Sequence, residues 1–373
     1  MKSTQADTDK MGETPQINLM NLGSPALTDY FDGIGENGFR STQIIKWVHQ
    51  HGVIDYSSMT NLSKNLREKL QNNTELRPPT IDDEQISEDG TRKWLVRTDP
   101  FNCVETVFIP EGDRGTLCVS SQVGCPLNCQ FCATATQGFS RNLSVGEIIG
   151  QVWLAARKLG QSSASTRKIT NVVMMGMGEP LLNFDNAVAS MKLMMDDNAY
   201  GLSKRRVTLS TAGVIPGIKR LADECPVSLA ISLHATNDEL RNKLVPINRK
   251  YPIAELIQAC KEYSRATNDG TITFEYVMLK DVNDSVSEAR RLAQLLGGIP
   301  AKVNLIPFNT FKGNHFARSS ESDIDAFRER LSASGIITIT RKTRGSDIDA
   351  ACGQLVGDVT SKKRSLASNK RVD

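Results

Sequence analysis

The chain has 373 residues, of which 39% are hydrophobic and 23% charged, a composition typical of a globular protein with a sizeable core. No apolar run reaches the ~18 residues that a membrane span requires, so we expect no membrane association. The start of the chain lacks the apolar segment of a secretory signal, and we expect a cytoplasmic protein. Its eight cysteines should be reduced there, which favours metal binding or catalysis over structural disulfides.

Residues 1–90 are predicted to form a small helical accessory domain that docks RNA. Apolar residues recur at helical spacing in "STQIIKWVHQHG" and "SKNLREKLQNN". Residues 91–115 follow as a β-hairpin extension that packs on the next domain. Its two strands are predicted in "KWLVRTD" and "CVETVFIP".

From residue 116 to residue 355 strands and helices alternate. One helical stretch begins with the capping box of Ser144 and Glu147. Repeated β–α units predict an α/β fold whose parallel sheet closes, or nearly closes, into a barrel. Residues 356–373 are predicted to be a basic tail. The predicted barrel strands are "TLCVSSQVG", "TNVVMMG", "RVTLST", "VSLAISLHA", "TITFEYVML", "KVNLIPFN" and "GIITITRK".

Basic residues gather in several short clusters, although the net charge is only +3. Such clusters are equally compatible with phosphate contacts and with solvated loops. Charge alone therefore leaves both interpretations open. The clusters are Ser203–Arg206, Asn248–Lys250, Arg341–Arg344 and Ser361–Arg371.

The loop after the first barrel strand carries Cys125, Cys129 and Cys132, and barrel enzymes build their sites on such loops. A closed zinc site needs four ligands, usually in two separated pairs, and this sequence offers no second pair. A [4Fe–4S] cluster held by three thiolates would keep one iron open. The spacing therefore predicts a [4Fe–4S] cluster whose open iron binds the amino and carboxylate groups of a substrate.

The spacing C-x₃-C-x-aromatic-C, with Phe131 as the aromatic residue, resembles the signature of the radical S-adenosylmethionine (SAM) enzymes. The stretch "GMGEP", after the second barrel strand, resembles their SAM-binding loop. This resemblance implies a partial (β/α)6-type barrel, SAM as a cofactor, and reductive cleavage of SAM to a 5′-deoxyadenosyl radical.

Longer stretches that cover nearly the whole chain resemble the RlmN family, among them "GLSKRRVTLSTAGVIPGI", "SLHATNDELRNKLVPINRKYP" and "RKTRGSDIDAACGQL". Members of this family are dual-specificity methyltransferases. They methylate C2 of adenosine in 23S rRNA, at the peptidyl transferase centre, and in tRNA, at adenosine 37 beside the anticodon. The resemblance further implies two SAM molecules per turnover and a reducing electron donor such as flavodoxin.

The resemblance also assigns roles to individual residues. Cys352, in "DAACGQL", matches the methyl carrier, Cys118 the resolving thiol and Glu105 the proton acceptor. The cluster ligands are the three cysteines of the loop. The SAM-binding positions implied by the family motifs are Glu179, Pro180, Ser210, Ser232, Leu233, His234 and Asn309.

A radical is needed because C2 of adenine lies between two ring nitrogens and is too electron-poor for ordinary methyl transfer. In the family mechanism one SAM methylates Cys352, and a second SAM yields the radical that removes a hydrogen atom from the S-methyl group. The resulting methylene radical attacks C2. The thiolate of Cys118 then attacks the sulfur of Cys352, forms a disulfide and releases the methylated base.

Two alternatives to C2 methylation stay open. The first is methylation at C8 of the same rRNA adenosine, as in a related resistance family that shares these cysteines; "GMGEPLLN" and the overall match favour C2. The second is a non-enzymatic, metal-stabilised RNA-binding module, which leaves the motifs of Cys118 and Cys352 unexplained.

Overall fold

The structure is a computed structural model that describes residues 16–161, 167–268 and 270–357, so most of the predicted basic tail lies outside the described residues. In these ranges the strands are β1 (Ile17–Asn18), β2 (Thr74–Glu75), β3 (Thr80–Ile86), β4 (Arg92–Asp99), β5 (Asn102–Glu111), β6 (Arg114–Cys118), β7 (Gln122–Gly124), β8 (Phe139–Asn142), β9 (Asn171–Met174), β10 (Val207–Thr211), β11 (Ser228–Ser232), β12 (Ile272–Met278), β13 (Ala301–Pro307) and β14 (Ile337–Thr340). The α-helices are α1 (Ser24–Gly33), α2 (Phe39–Ile45), α3 (Lys64–Asn73), α4 (Ala133–Thr136), α5 (Val145–Lys158), α6 (Phe184–Met195), α7 (Ile215–Glu224), α8 (Asp238–Leu244), α9 (Ile253–Ala266), α10 (Val286–Leu295) and α11 (Glu321–Ser332).

One large sheet organises the chain, in the order β14-β13-β12-β11-β10-β9-β6-β5-β4-β3. The strands from β6 through β9 to β14 pair in parallel, and helices connect each parallel strand to the next. The strands β3 to β6 pair antiparallel. Because β14 and β3 lie at opposite ends of this order, the barrel is open. The structure confirms the predicted α/β partial barrel.

The helix α5 forms as its sequence predicts. The side chain of Ser144 accepts a hydrogen bond from the backbone of Glu147, whose carboxylate accepts one from the backbone of Ser144, which completes the capping box. The apolar face of α5 is buried and contacts the N-terminal region. There the indole of Trp153 donates a hydrogen bond of 2.8 Å to the carbonyl of Val48. A side chain at Gly150 would meet the ring of Pro79, so a glycine allows this close approach.

The N-terminal region is helical only in its first part. Its last helix, α3, ends at Asn73, and the strand β3 joins the large sheet beside β4. Within the region expected to be mostly helical up to residue 90, the last part therefore contains a strand. The sequence of β3, "TIDDEQI", hides this strand, because its side chains are mostly exposed and polar, as at a protected sheet edge.

The first predicted barrel strand is divided into β6 and β7. After Cys118 the chain leaves the large sheet, and β7 pairs with β8 instead. The turn is held by two backbone hydrogen bonds, from Val119 to the carbonyl of Val173 and from Ser121 to that of Met177. As a result Cys118 lies at the end of a barrel strand. None of the helices in the described ranges has the length and apolarity needed to cross a membrane.

Candidate functional site

An open cavity lies at the carboxyl ends of the parallel strands, where barrel enzymes carry their sites. Most of the predicted site residues line it. Pro180 and Leu233 are buried but do not belong to the lining, and neither do Cys118 and Glu105. The predicted residues that line the cavity are Cys125, Cys129, Cys132, Glu179, Ser210, Ser232, His234, Asn309 and Cys352.

The three cysteines of the loop lie together on one wall of this cavity. Burial raises the pKa of the Cys125 thiol to about 12, and Cys132 adds to this effect. Burial also raises the pKa of Cys129 well above its usual value, with further contributions from Cys132 and Cys125. Such thiols ionise only if positive charge is brought to them. The donor set therefore fits an iron–sulfur cluster bound by thiolates.

As they stand, these side chains do not form a finished metal site. Among the described residues, no three or more His, Cys, Asp or Glu side chains are arranged to hold a metal ion. Cys125, Cys129 and Cys132 are free thiols, so none of the three is withdrawn from binding by a disulfide. Holding the cluster requires the three thiols to turn towards a common centre.

Glu179 is the buried carboxylate of the cavity. Its two oxygens accept hydrogen bonds from the backbone N–H groups of Leu181, at 3.1 Å, and Ala212, at 2.8 Å. Burial nevertheless raises its pKa to about 7. A carboxylate in this position is stabilised by a cation, and the ammonium group of an amino-acid ligand supplies one.

His234 presents a neutral imidazole to the cavity. Burial, and to a lesser extent the charge of Arg241, lowers its pKa to about 3. Its Nδ1 accepts a hydrogen bond of 3.0 Å from the backbone N–H of Val277, which leaves the proton on Nε2. The backbone of His234 is in the left-handed region, with φ of 63°, and the amide of Asn283 donates to its carbonyl at 2.9 Å. His234 is thus a fixed hydrogen-bond donor.

Cys352 is exposed on the loop that follows β14. The amide of Asn309 donates a hydrogen bond of 3.2 Å to its carbonyl, and Nη1 of Arg341 donates one of 3.2 Å to its sulfur. The carbonyl of the next residue, Gly353, accepts a hydrogen bond of 2.7 Å from Ala133, directly after the cysteine loop. The loop of Cys352 is therefore tied to the wall that carries the three cysteines.

Cys118 lies close enough to Cys352 for the two thiols to interact electrostatically. Burial and, to a lesser extent, Cys352 raise the pKa of Cys118 to about 12, against the opposing effects of the Met175 backbone and of Arg341. The two cysteines come from opposite ends of the barrel sequence. The fold brings them together as free thiols, without a disulfide.

Glu105, on β5, lies in a buried ion pair. Its Oε1 is 3.2 Å from Nζ of Lys93, and its Oε2 accepts a hydrogen bond of 2.9 Å from the backbone of Val356. Both partners are absent from the sequence-based prediction. Lys93 could have been found, because β4 and β5 pair with Leu95 opposite Glu105, which places Lys93 diagonally across from the carboxylate on the same face.

Three further charged residues near the site were missed. Arg341 and Glu275 line the cavity. Arg241 is fully buried and donates hydrogen bonds to the carbonyls of Leu233, Ser232 and Ala212. These residues join the carboxyl ends of neighbouring strands. Their only sequence signal is a charge at a strand end, which is too common to select them.

The basic clusters lie at different ends of the barrel. Residues 204–206 precede β10, at the end opposite the cavity, where Arg206 bonds Asn171 at the start of β9. Arg249 and Lys250 lie between β11 and α9, and Lys312 lies between β13 and α11, on the cavity side. All three are exposed. The tail cluster lies outside the described residues.

The raised pKa of Glu179 leads to a prediction about stability. Because the folded chain binds the proton more tightly than the unfolded chain, this stabilising contribution is complete below the ordinary pKa and is lost as the pH rises through about 7. Between pH 4 and pH 8 this group should lower the free energy of unfolding of the unliganded parent protein by about 3 kcal/mol. Glu179→Gln should lack that decrease.

Urea denaturation at a series of pH values measures this effect, with the exposed Glu68→Gln as the control that keeps the parent profile. Parallel profiles for Glu179→Gln and the parent would contradict the assignment.

Comparison with known proteins agrees with this geometry. Residues 17–76 match the family described as "Ribosomal RNA large subunit methyltransferase N-terminal domain", and residues 119–293 match the "Radical SAM superfamily". Two proteins named dual-specificity RNA methyltransferase RlmN, from Pseudomonas putida strains F1 and W619, are each 56% identical to the chain, over 94% of its length and 93% of theirs. The crystal structure of a radical SAM methyltransferase from Sphaerobacter thermophilus is 43% identical, with a TM-score of 0.84, and the match covers 91% of this chain and 99% of that one. The chain therefore belongs to the RlmN family of radical SAM RNA methyltransferases.

Proposed function

We propose that this chain methylates C2 of adenosine in 23S rRNA, at the peptidyl transferase centre, and in tRNA, at adenosine 37. The observation that carries the proposal is the position of Cys352. Its sulfur lies on the cavity with the three-cysteine loop and within electrostatic reach of Cys118. A binding module would have no use for two reactive thiols placed in this way, whereas a methyl carrier and a resolving thiol require it.

The cavity residues are suited to hold the cofactors. We propose that Cys125, Cys129 and Cys132 bind a [4Fe–4S] cluster, which when bound supplies the electron that cleaves SAM. Glu179 offers its buried carboxylate to the ammonium group of SAM, and His234 offers its Nε2 proton to an acceptor atom. The other SAM-binding positions in the proposal are Pro180, Ser210, Ser232, Leu233 and Asn309.

The chemistry on the protein begins at Cys352. Its thiolate takes the methyl group of a first SAM, so that a sulfur–carbon bond forms and the sulfonium leaves as a thioether. A second SAM would provide the radical that removes one hydrogen atom from this methyl group, and the methylene carbon then bonds to C2 of the adenine. The adduct carries one unpaired electron, which would pass to the oxidised cluster. RNA and protein are now joined through the sulfur of Cys352.

Release needs a thiolate and a base. Cys118 attacks the sulfur of Cys352, so that a disulfide forms while the sulfur–carbon bond breaks, and the electron pair stays on the carbon, which takes a proton. We propose Glu105 as acceptor of the C2 proton. Both of its oxygens are engaged, by Lys93 and by the backbone of Val356. Each oxygen has one partner and keeps a further lone pair for the C2 proton.

The cellular setting follows from the same thiols. Cys352 is exposed and must be a thiol before it can accept a methyl group. The disulfide formed at release must be reduced after each turnover. We therefore propose a cytoplasmic location, where thiols are kept reduced, and a reducing electron donor of the flavodoxin type.

RNA is held in the proposal by two surfaces. The first is the cavity-side group of Arg249, Lys250 and Lys312, whose charges suit phosphate contacts. The second is the N-terminal region that matches the methyltransferase N-terminal domain, which we propose as an accessory RNA-docking unit. A base must leave its stack to reach Cys352, and backbone contacts on both surfaces would hold the strand meanwhile.

The cluster assignment predicts the iron content of the protein. Protein purified without oxygen should contain four irons and four sulfides per chain, in the proportion that a [4Fe–4S] cluster requires. Alanine at Cys125, Cys129 or Cys132 should abolish this content, whereas Cys225→Ala should keep it, because Cys225 is buried in the core. Iron and sulfide analysis with electron paramagnetic resonance checks this. Stoichiometric zinc without iron would contradict the cluster.

The reaction itself is tested by mass spectrometry of adenosines from treated rRNA and tRNA, in which 2-methyladenosine is expected. An 8-methyladenosine product would favour the C8 alternative. Cys118→Ala should still form the bond to C2 but fail at release, so it should accumulate a covalent protein–RNA species on a denaturing gel. Cys352→Ala and the double variant should form none, because they lack the linking sulfur. A crosslink that persists without Cys352 would remove it from the proposed role.

The RNA surfaces are tested by charge reversal. Replacing both Arg249 and Lys250 by Glu should weaken RNA binding about tenfold and reduce its salt dependence by roughly two ions. The matched control reverses Lys204 and Arg205, at the opposite end of the barrel, and should bind RNA as the parent does. A third variant, Lys64→Glu on α3, tests the N-terminal region. Filter binding at several salt concentrations gives the affinities, and equal losses in the first two variants would contradict the cavity-side surface.

A further inference from the structure

One cation faces both reactive cysteines. Arg341 follows the end of β14, and its backbone continues the sheet by donating a hydrogen bond of 2.8 Å to the carbonyl of Leu305. Its Nη1 donates to the sulfur of Cys352 at 3.2 Å. Its charge also acts on the thiol of Cys118, because Arg341 reaches Met175, which lies two residues beyond the sheet partner of Cys118. A guanidinium stays protonated at any working pH and carries several N–H donors, so it can serve two sulfurs at once.

A buried carboxylate stands behind this arginine. Glu275, on β12, is 3% exposed, and its Oε1 accepts a hydrogen bond of 2.8 Å from the amide of Asn304. Its Oε2 has no hydrogen bond and lies 3.8 Å from Nη1 of Arg341. A buried carboxylate without a partner is costly. The attraction between Glu275 and Arg341 therefore fixes the guanidinium on the side of the cavity where the cysteines lie.

The remaining contact of Arg341 supports the same orientation. Its Nη2 lies 3.8 Å from the sulfur of Met175, in the segment directly after β9. The guanidinium is thus surrounded by two sulfurs and one carboxylate, and its side chain is 32% exposed. The buried cation Lys93 is paired with Glu105.

We propose that Arg341, aimed by Glu275, is the positioning residue that favours the thiolate of Cys352 for methyl acceptance and the thiolate of Cys118 for release. This inference rests on the proposed function. The thiolate is the nucleophilic form of cysteine, and both proposed steps use one. In the first, the sulfur of Cys352 gains a carbon bond; in the second, the sulfur of Cys118 bonds that of Cys352 and the carbon leaves with the electron pair.

One arginine can serve both steps because they occur in sequence. Before methylation the guanidinium donates to the sulfur of Cys352. Once that sulfur carries carbon it is a neutral thioether and a weak acceptor, so the guanidinium is free to favour ionisation of Cys118. Burial holds the pKa of Cys118 at about 12, and the neighbouring positive charge offsets part of that burial.

The experiment measures thiol reactivity directly, without RNA or added SAM. Holoenzyme is treated with iodoacetamide across a pH series, and the alkylation rate of Cys352 is read by mass spectrometry of its peptide, with chains already methylated at Cys352 counted separately. Arg341→Gln should slow alkylation of Cys352 at pH 7 about tenfold, because the sulfur loses its charged hydrogen-bond donor. Arg341→Lys should restore part of the rate, because lysine keeps the positive charge but lacks the planar set of N–H donors of arginine.

The control is Lys302→Gln, which removes the same charge at the start of β13, level with the start of β14. It should leave the alkylation rate unchanged. A rate unaffected by Arg341→Gln, or lowered equally by Lys302→Gln, would overturn the role of Arg341. Because alkylation needs no methyl transfer, this result stands apart from any failure of the proposed RNA reaction.

Glu275→Gln separates aiming from simple repulsion. Removing a negative charge near the thiols would by charge alone speed alkylation of Cys352. If Glu275 aims the guanidinium, its loss should instead slow alkylation, because Arg341 leaves the sulfur. A slower rate supports the aiming role, and an unchanged or faster rate overturns it. Circular dichroism and iron content of each variant confirm that the fold and the cluster are intact.

Discussion

Burial of ionisable groups around a single cavity is the constraint on which the site depends. Burial raises the pKa of Cys118 and Cys125 to about 12 and that of Glu179 to about 7, and it lowers that of His234 to about 3. Each group therefore stays neutral until a partner of opposite charge arrives. A cation bound in the cavity favours the ionised forms of the cysteines and of Glu179.

The segment of residues 352–356 connects several parts of the site. It passes from Cys352 across the cysteine loop, where Thr134 donates a hydrogen bond of 2.6 Å to the carbonyl of Leu355, and it reaches β5, where Val356 donates to Glu105. The methyl carrier, the helix that follows the cluster loop and the proposed base are thereby joined through residues 352–356. The proposed carrier and the proposed base are thus connected through one short stretch of backbone.

Much of this could be read from the sequence, because the relevant signals are local. The C-x₃-C-x-aromatic-C spacing, the capping box of α5 and the apolar barrel strands each lie within a short window, and the strands and helix appear where predicted. The polar strand β3 was missed because its edge position lets it do without apolar residues. The break between β6 and β7 was missed because the hydrogen bonds that cause it come from β9 and the segment after it.

The contacts around the reactive thiols could not be predicted from the sequence, because they join residues that are far apart along the chain. Arg341 and Glu275 are separated by 66 positions and meet only because β12, β13 and β14 are consecutive neighbours in the sheet. An arginine after a strand is common in protein sequences, and a glutamate within a strand usually indicates a solvent-exposed edge strand. Burial makes the pair important. The carboxylate of Glu275 has one oxygen without a hydrogen bond and is stabilised by the charge of Arg341, which is hydrogen-bonded to Cys352. The fold thus places Arg341 and Glu275 where, in our proposal, they determine whether Cys352 or Cys118 is the nucleophile.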